Sequence, residues 1–379
     1  MSINTSKPIK VLHVLDILSR GSGVTSVFMN YLRNIDTSKF IFDVVVHKNG
    51  DESLKKEIEY LGGTVYNLPD ITISGFPRYK IEFSQILKNN KYQILHGHIS
   101  NAAFLYMTEA KKQHVPIRII HSHNGEAAST LFKRVRNSIL ERNIKKWCNY
   151  YFACSDKAAD RLFKDIASEE IVILPNAINT KDFEYNSNVR KQVRDSFGIN
   201  QKTFCIGHIG RFDQQKNHQF LLEILAGIKE KEKDCLLLLI GTGDLEPQIK
   251  RYAVNLGLDK DILFLGQRSD CQRLYQAFDI FVLPSIFEGL PLVGVEAQTS
   301  GLPCLFSENI SKQIEITDNV WFLPIDDSLV WAEKAISIFK NYFRLDQSIV
   351  VSEKGFDIKN KSHELENIYM KYINNIGVS

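Results

Sequence analysis

The 379-residue sequence predicts an α/β protein of two Rossmann-like, doubly wound parallel-sheet domains facing a cleft. Two observations carry that prediction. Short apolar runs alternate with helical stretches from one end of the chain to the other, and strands joined through helices pair in parallel with both sheet faces covered. The alternation pauses once, across a polar and charged stretch from Asn179 to Lys202, and then restarts. A chain of this length suits two cores of roughly 150–200 residues rather than one.

The first half has predicted strands at 9–15, 40–46, 64–68, 92–96, 117–121 and 150–153. A Gly turn at Arg20-Gly21-Ser22-Gly23 leads into a predicted helix at 24–33, and a second helix at 52–61 closes on Gly62-Gly63. After the stretch 179–202, read as an interdomain linker, strands are predicted at 203–208, 236–240, 262–265, 280–283 and 303–306. Beyond the apolar run 321–323, helices are predicted at 329–343 and 362–374. In open α/β sheets ligands sit outside the carboxyl ends of strands, so functional residues are expected just after them.

Composition excludes several classes. No apolar run approaches the roughly 18 residues that span a bilayer, and the start, Met1 to Pro8, reads straight into a strand rather than as a signal peptide. The six cysteines lack CxxC or CxxH spacing, which reads as reduced core residues of a cytoplasmic protein rather than a disulfide framework or zinc site. A net charge of +3 is too small to indicate nucleic acid.

The most informative segment is Phe281-Val-Leu-Pro-Ser-Ile-Phe-Glu288-Gly289-Leu290-Pro291-Leu-Val-Gly-Val-Glu296. A strand ends at Leu283, a loop carries Glu288 and Gly289, and Pro291 suits the first turn of a helix, where a missing N–H costs nothing. Free loop amides and a helix N-terminus suit phosphate oxygens. Two carboxylates here suit sugar and ribose hydroxyls through charge-assisted bonds. The plain alternative is a strand-loop-helix with two solvated glutamates. Upstream, Ile209-Gly210-Arg211-Phe212-Asp-Gln-Gln-Lys216-Asn217 also joins a strand to a helix. Arg211 offers a planar fork and Lys216 a compact point charge, both fit for a diphosphate; the alternative is a solvated basic turn.

These residues resemble the retaining glycosyltransferases of family 4, whose two-domain architecture is the glycosyltransferase B fold. Glu288 and Glu296 match the family's Glu, seven residues, Glu signature, and the preceding Val-Leu-Pro-Ser and following Gly-Leu-Pro match as well. The resemblance implies that Arg211 and Lys216 stabilise a departing diphosphate, that Glu288 holds donor sugar hydroxyls, that the amides of Gly289 and Leu290 and the turn at Gly210 contact the donor, and that Glu296 holds the ribose. Leu239-Ile240-Gly241-Thr242-Gly243 resembles the family's base-side loop, and Gly266-Gln267-Arg268 ends a strand where family members hold the base with backbone groups. Each of these two is equally readable as a structural turn. Formally Asp259-Lys-Asp261 is a DxD, but it precedes a strand and reads as a chance match, so no metal or other cofactor is expected.

In the N-terminal half, Gly21, Ser22 and Gly23 follow the first strand and are expected to approach the donor phosphates. Family members often carry Gly-Gly-x-Glu there; here Ser22 replaces one Gly and Thr25 stands where the acid is often seen. The loop nearly matches a dinucleotide fingerprint, but the second strand has Asp43 at its beginning and Lys48 at its end, which disfavours a nicotinamide site. His96, His98, His121 and His123 end two strands; within each strand both histidines point one way. Four histidines suit a zinc geometrically, yet no cysteine or carboxylate joins them except Glu126, and the expected metal is none. The resemblance places His123 near the reacting sugar, with His98, His121 and Asn124 toward the acceptor; packed histidines are the alternative. The segment 131–147 carries six basic residues and one acid around Leu131, Val135, Ile139 and Trp147, the form of a helix resting on anionic lipid or of a solvated basic face.

The resemblance spans nearly the whole chain and looks most like bacterial capsule and exopolysaccharide transferases. It implies an acceptor domain at 1–180, a nucleotide-sugar domain at 181–355, and a helix at 356–379 packing back on the first. The expected reaction moves a hexose or N-acetylhexosamine from a nucleotide diphosphate sugar, UDP first, to a lipid-linked saccharide with retention. The location expected is cytoplasmic, on the inner membrane face. A sugar-nucleotide 2-epimerase and a non-catalytic partner subunit are the alternatives.

Overall fold

The computed structural model describes residues 7–48, 50–69, 76–123, 141 and 143–376. They form two compact units: Met1–Pro175 together with Ile358–Ser379, and Asn176–Asp357.

The first unit is a seven-stranded parallel sheet. Its strands are β1 (Ile9–Ile17), β2 (Phe40–Lys48), β3 (Val65–Asn67), β4 (Ile94–Gly97), β5 (Ile117–Ser122), β6 (Tyr150–Ala153) and β7 (Ile171–Ile173). They lie in the order β3-β2-β1-β4-β5-β6-β7. The central strands are continuous apolar runs because helices cover both faces: Val11, Val14, Val44, Ile94 and Ile119 are fully buried. The three-residue β7 escaped the sequence reading; it is an edge strand whose residues stay half-buried, so its apolar signal is short. Ser22 caps the helix Gly23–Asn34 by accepting the Thr25 N–H. The final helix, Ile358–Ile376, packs on that helix and sets Tyr369 against Phe40 and Phe42 and Tyr372 on Tyr150.

The second unit is a six-stranded parallel sheet with strands β8 (Phe204–Ile209), β9 (Cys235–Ile240), β10 (Ile262–Phe264), β11 (Ile280–Leu283), β12 (Cys304–Ser307) and β13 (Val320–Leu323). The order is β10-β9-β8-β11-β12-β13. In both sheets the strand order reverses beside the first strand: between β1 and β4, and between β8 and β11. These are the topological switch points at which open α/β sheets take ligands.

The stretch read as a linker is a folded part of the second unit. It contains the short turn Thr180–Phe183 and the helix Ser187–Ser196. Most of this polar helix stays exposed, and what docks it is one carboxylate shared by two arginines. Arg190 and Arg194 grip the two oxygens of Asp279, at 2.5 and 3.3 Å, and Arg194 is fully buried with further donations to the carbonyls of Ala277, Asn200 and Thr203. Apolar periodicity cannot reveal such a helix, because guanidinium groups replace the apolar face.

Candidate functional site

Loops leaving β8 and β11 build the clearest constellation. Lys216 Nζ lies 2.6 Å from Glu288 Oε1, and both side chains are largely buried. Two contacts hold the loops together: the Ile286 N–H donates to the Gln215 carbonyl at 2.8 Å, and Gln215 Nε2 donates to the Phe287 carbonyl at 3.0 Å. Gly210 makes room for the Lys216 chain, since a Cβ there would lie 3.0 Å from Lys216 Cγ. Beneath it, His208 donates or accepts through Nδ1 with the Val282 carbonyl at 2.8 Å, and burial lowers its pKa to about 4, so the ring is neutral beside Lys216. Arg211 differs from Lys216: its side chain is exposed and makes no hydrogen bond or ion pair with the described residues.

The predicted glycines after β9 are close-approach positions. Gly241 has a φ of +135°, and a Cβ there would collide with the Gly210 carbonyl oxygen. A Cβ at Gly243 would lie 2.5 Å from the Phe212 carbonyl oxygen. The Gly210 N–H donates to Ile240, and the Gly241 N–H to Gly266, so the loops after β8, β9 and β10 interlock. Gln267 and Arg268 are exposed, with Arg268 tied to Asp270 at 2.8 Å. Asp261 of the formal DxD is ion-paired with Lys229.

Gly289 and Leu290 are buried, and the Leu290 carbonyl accepts from Asn176 Nδ2 at 2.9 Å. Pro291 is the cap residue itself, one position before the expected first turn of the helix Leu292–Thr299. Glu296, on that helix, accepts from the Tyr275 hydroxyl at 2.8 Å. Desolvation raises its carboxyl to about 7, against the opposing pull of that bond. Tyr275 is itself anchored: its carbonyl accepts from Arg344, which also donates to the carbonyls of Gln276, Phe278 and Ser300. Gln215 stands inside the quoted Arg211–Lys216 segment without an expected role, and nothing in the sequence singles out Tyr275 or Arg344, since no spacing links them to the glutamates.

In the first unit, the loop after β1 is held by Thr25, whose hydroxyl donates to the Ile17 carbonyl at 2.7 Å and accepts the Ser19 N–H at 3.3 Å. Thr25, where an acid is often seen, is thus a loop brace. A Cβ on Gly23 would meet nothing within 4 Å, so the surface over the loop is open. Asp43 is buried and accepts from Tyr92 and the Thr64 N–H, away from any ribose role.

The histidines form a larger cluster than expected, because β1 adds His13 opposite His96. Two chains of contacts run through it. Tyr369 Oη lies 2.6 Å from His96 Nδ1, and His96 Nε2 lies 3.2 Å from His121 Nδ1. In the other, His13 Nδ1 lies 3.1 Å from His98 Nε2, and His98 Nδ1 lies 2.8 Å from His123 Nε2. Desolvation lowers every one of these pKa values, His13 to about 3 and His123 to about 4. One ring nitrogen each of His13, His96 and His98 lie within 4.8 Å of one another, as do those of His98, His121 and His123. Asn124 and most of the basic segment 131–147 lie outside the described residues. No helix among the described residues is long and apolar enough to cross a membrane.

Residues 21–182 match the family described as Glycosyltransferase Family 4, and residues 189–349 match Glycosyl transferases group 1. EpsF of Bacillus subtilis (strain 168), named as a glycosyltransferase, is 34% identical over 331 residues that make up 86% of each chain. The chain belongs to the family 4 glycosyltransferases. This glycosyltransferase is also similar to the Escherichia coli UDP-Gal:α-D-GlcNAc-diphosphoundecaprenol α-1,3-galactosyltransferase, at 28% identity over 80% of each chain. CapH of Staphylococcus aureus, a capsular polysaccharide biosynthesis glycosyltransferase, is 24% identical over 96% of this chain and 99% of its own. The glycosyltransferase shares its fold with Anabaena HepE, solved in complex with UDP and glucose, at a TM-score of 0.80 and 15% identity over 96% and 99% of the two chains. Its two parallel-sheet units are those of the glycosyltransferase B fold, and it is a transferase of the polysaccharide biosynthesis type. These relatives are transferases, which does not favour the epimerase reading.

Proposed function

We propose that this glycosyltransferase moves a hexose or N-acetylhexosamine from a UDP-sugar to a saccharide carried on a polyprenyl diphosphate, with retention at the anomeric carbon. The observation that carries the reading is the Lys216–Glu288 pair at the β8/β11 switch point. A cation and a carboxylate this close suit the two ends of one ligand, a diphosphate and the hydroxyls of its sugar. Arg211, with its free guanidinium, supplies a second cation, and preset positive charge lowers the barrier to a leaving diphosphate. With two cations there, the diphosphate needs no divalent metal. Glu296 takes the ribose hydroxyls, the amides of Gly289 and Leu290 the sugar, and Gly241, Gly243, Gln267 and Arg268 the base side. Gly21, Ser22 and Gly23 approach the phosphates over their open surface. His123 orients the reacting sugar, with His98, His121 and Asn124 toward the acceptor.

The E. coli relative supports the acceptor class, since its name specifies a GlcNAc-diphosphoundecaprenol. HepE with UDP and glucose supports the donor class. With an acceptor of that kind, our reading puts the work of the protein at the cytoplasmic membrane face, and the basic composition of the sequence 131–147 suits anionic lipid. The test is a thermal-shift panel of UDP- and GDP-sugars. A donor that binds the folded state raises the melting temperature, more so the further its concentration exceeds Kd, and UDP-hexoses are expected to do so. If every nucleoside diphosphate sugar leaves the melting temperature unmoved, the reading fails.

A further inference from the structure

The histidine cluster holds more nitrogen than its own contacts use. Each neutral imidazole carries one N–H and one lone pair, so a chain of three rings leaves a donor at one end and an acceptor at the other. His13 Nε2, His121 Nε2 and His123 Nδ1 are buried and have no partner among the described residues. Unmet buried nitrogens on adjacent strands are costly unless something else meets them. Imidazole is a common ligand for zinc and its neighbours in the transition series.

We propose that His98, His121 and His123 form a site for one transition-metal ion of the zinc class. Three features select this set over His13, His96 and His98. Two of its members carry an unpartnered ring nitrogen. His98 and His123 are half-buried, which leaves a route from solvent, whereas His13 and His96 are almost wholly buried. His121 is backed through Nδ1 by His96, which is held in turn by Tyr369. That chain is the outer support a metal-bound histidine usually has. The nitrogens lie within 4.8 Å of one another, and a tetrahedral site with bonds of about 2.0–2.1 Å needs them about 3.4 Å apart. Binding therefore requires the rings to reorient, with His98 giving up one of its two imidazole contacts. Three protein ligands leave the fourth position for water or hydroxide, and hydroxide offsets part of the ion's charge. The proposal assigns this ion no part at the diphosphate; His98, His121 and His123 then serve the ion in place of the sugar and acceptor contacts given to them above, and the metal titration decides between the two roles.

The experiment uses the full chain, stripped with a chelator, dialysed, and titrated with Zn²⁺ in the absence of donor and acceptor. Bound metal is read by elemental analysis, and Co²⁺ substitution reports four-coordination by strong visible absorption. One Zn²⁺ per chain is expected, with affinity lowered at least tenfold in His98→Ala and in His123→Gln and kept in His13→Ala. Circular dichroism and melting temperature confirm that each variant is folded; should His98→Ala not fold, His123→Gln carries the test. Absence of stoichiometric Zn²⁺ in the wild type, affinity unchanged by the His98 and His123 variants, or loss of binding in His13→Ala each overturns the assignment.

Discussion

The Lys216 ammonium sits 2.6 Å from a Glu288 carboxylate oxygen, although 72 residues of chain separate them. Both side chains are mostly shielded from water, at 15% and 11% exposure, so removing one partner costs more than at a surface salt bridge, because the other charge is left shielded and unpaired. In a double-mutant cycle, Lys216→Met and Glu288→Gln are expected to couple by about 1–2 kcal/mol in urea unfolding. Lys216→Met is further expected to lower kcat by about 10²–10³-fold, since it removes charge stabilisation from the leaving group. Additive unfolding energies would show that the pair is not coupled in solution.

The glycines divide into two kinds, and alanine substitutions separate them. Gly241→Ala forces a side chain into a positive-φ position against the Gly210 carbonyl. It is expected to destabilise the protein by about 2–4 kcal/mol. Gly23→Ala meets open space and is expected to leave stability unchanged or raise it by up to about 1 kcal/mol. If the donor phosphates approach this loop, Gly23→Ala weakens UDP-sugar binding all the same. Chemical denaturation and donor titration on the two variants read the difference.

Glu296 gives the second unit a pH dependence whose sign follows from its raised carboxyl. Its folded pKa of about 7 lies above the ordinary value of 4.5, so between those values the native state holds a proton that the unfolded chain has lost. This contribution to stability is present below pH 4.5 and is lost as pH rises toward 7. Glu296→Gln removes it. The melting temperature of the variant minus that of the wild type is expected to grow between pH 5 and pH 8, and a difference that stays flat would contradict the shift. At pH 8 Glu296→Gln is also expected to weaken UDP binding about tenfold, through loss of charge-assisted bonds to the ribose.

Arg194 tests what holds the polar helix at 187–196. Its guanidinium is fully buried between Asp279 and three backbone carbonyls. Arg194→Met leaves those oxygens short of donors, with Arg190 still on Asp279. A loss of about 3 kcal/mol is expected in urea unfolding. A change under 1 kcal/mol would mean that Arg190 alone secures the helix.

What the sequence determined by itself is local: the apolar runs that become central strands, the turns after them, and the spacing of Glu288 and Glu296. Buried parallel strands are read directly because helices on both faces demand apolar residues throughout, and every predicted strand forms within about two residues. The family was legible for the same reason, since its signature lies within one strand-loop-helix. Tertiary structure alone decided which side chains meet. Lys216 joins Glu288, Tyr275 holds Glu296, Tyr369 reaches His96 across 273 residues, and Asp279 folds in a helix that looked like a linker. Those partners come from different strands and helices, and hydrogen bonds between remote residues leave no period along the chain.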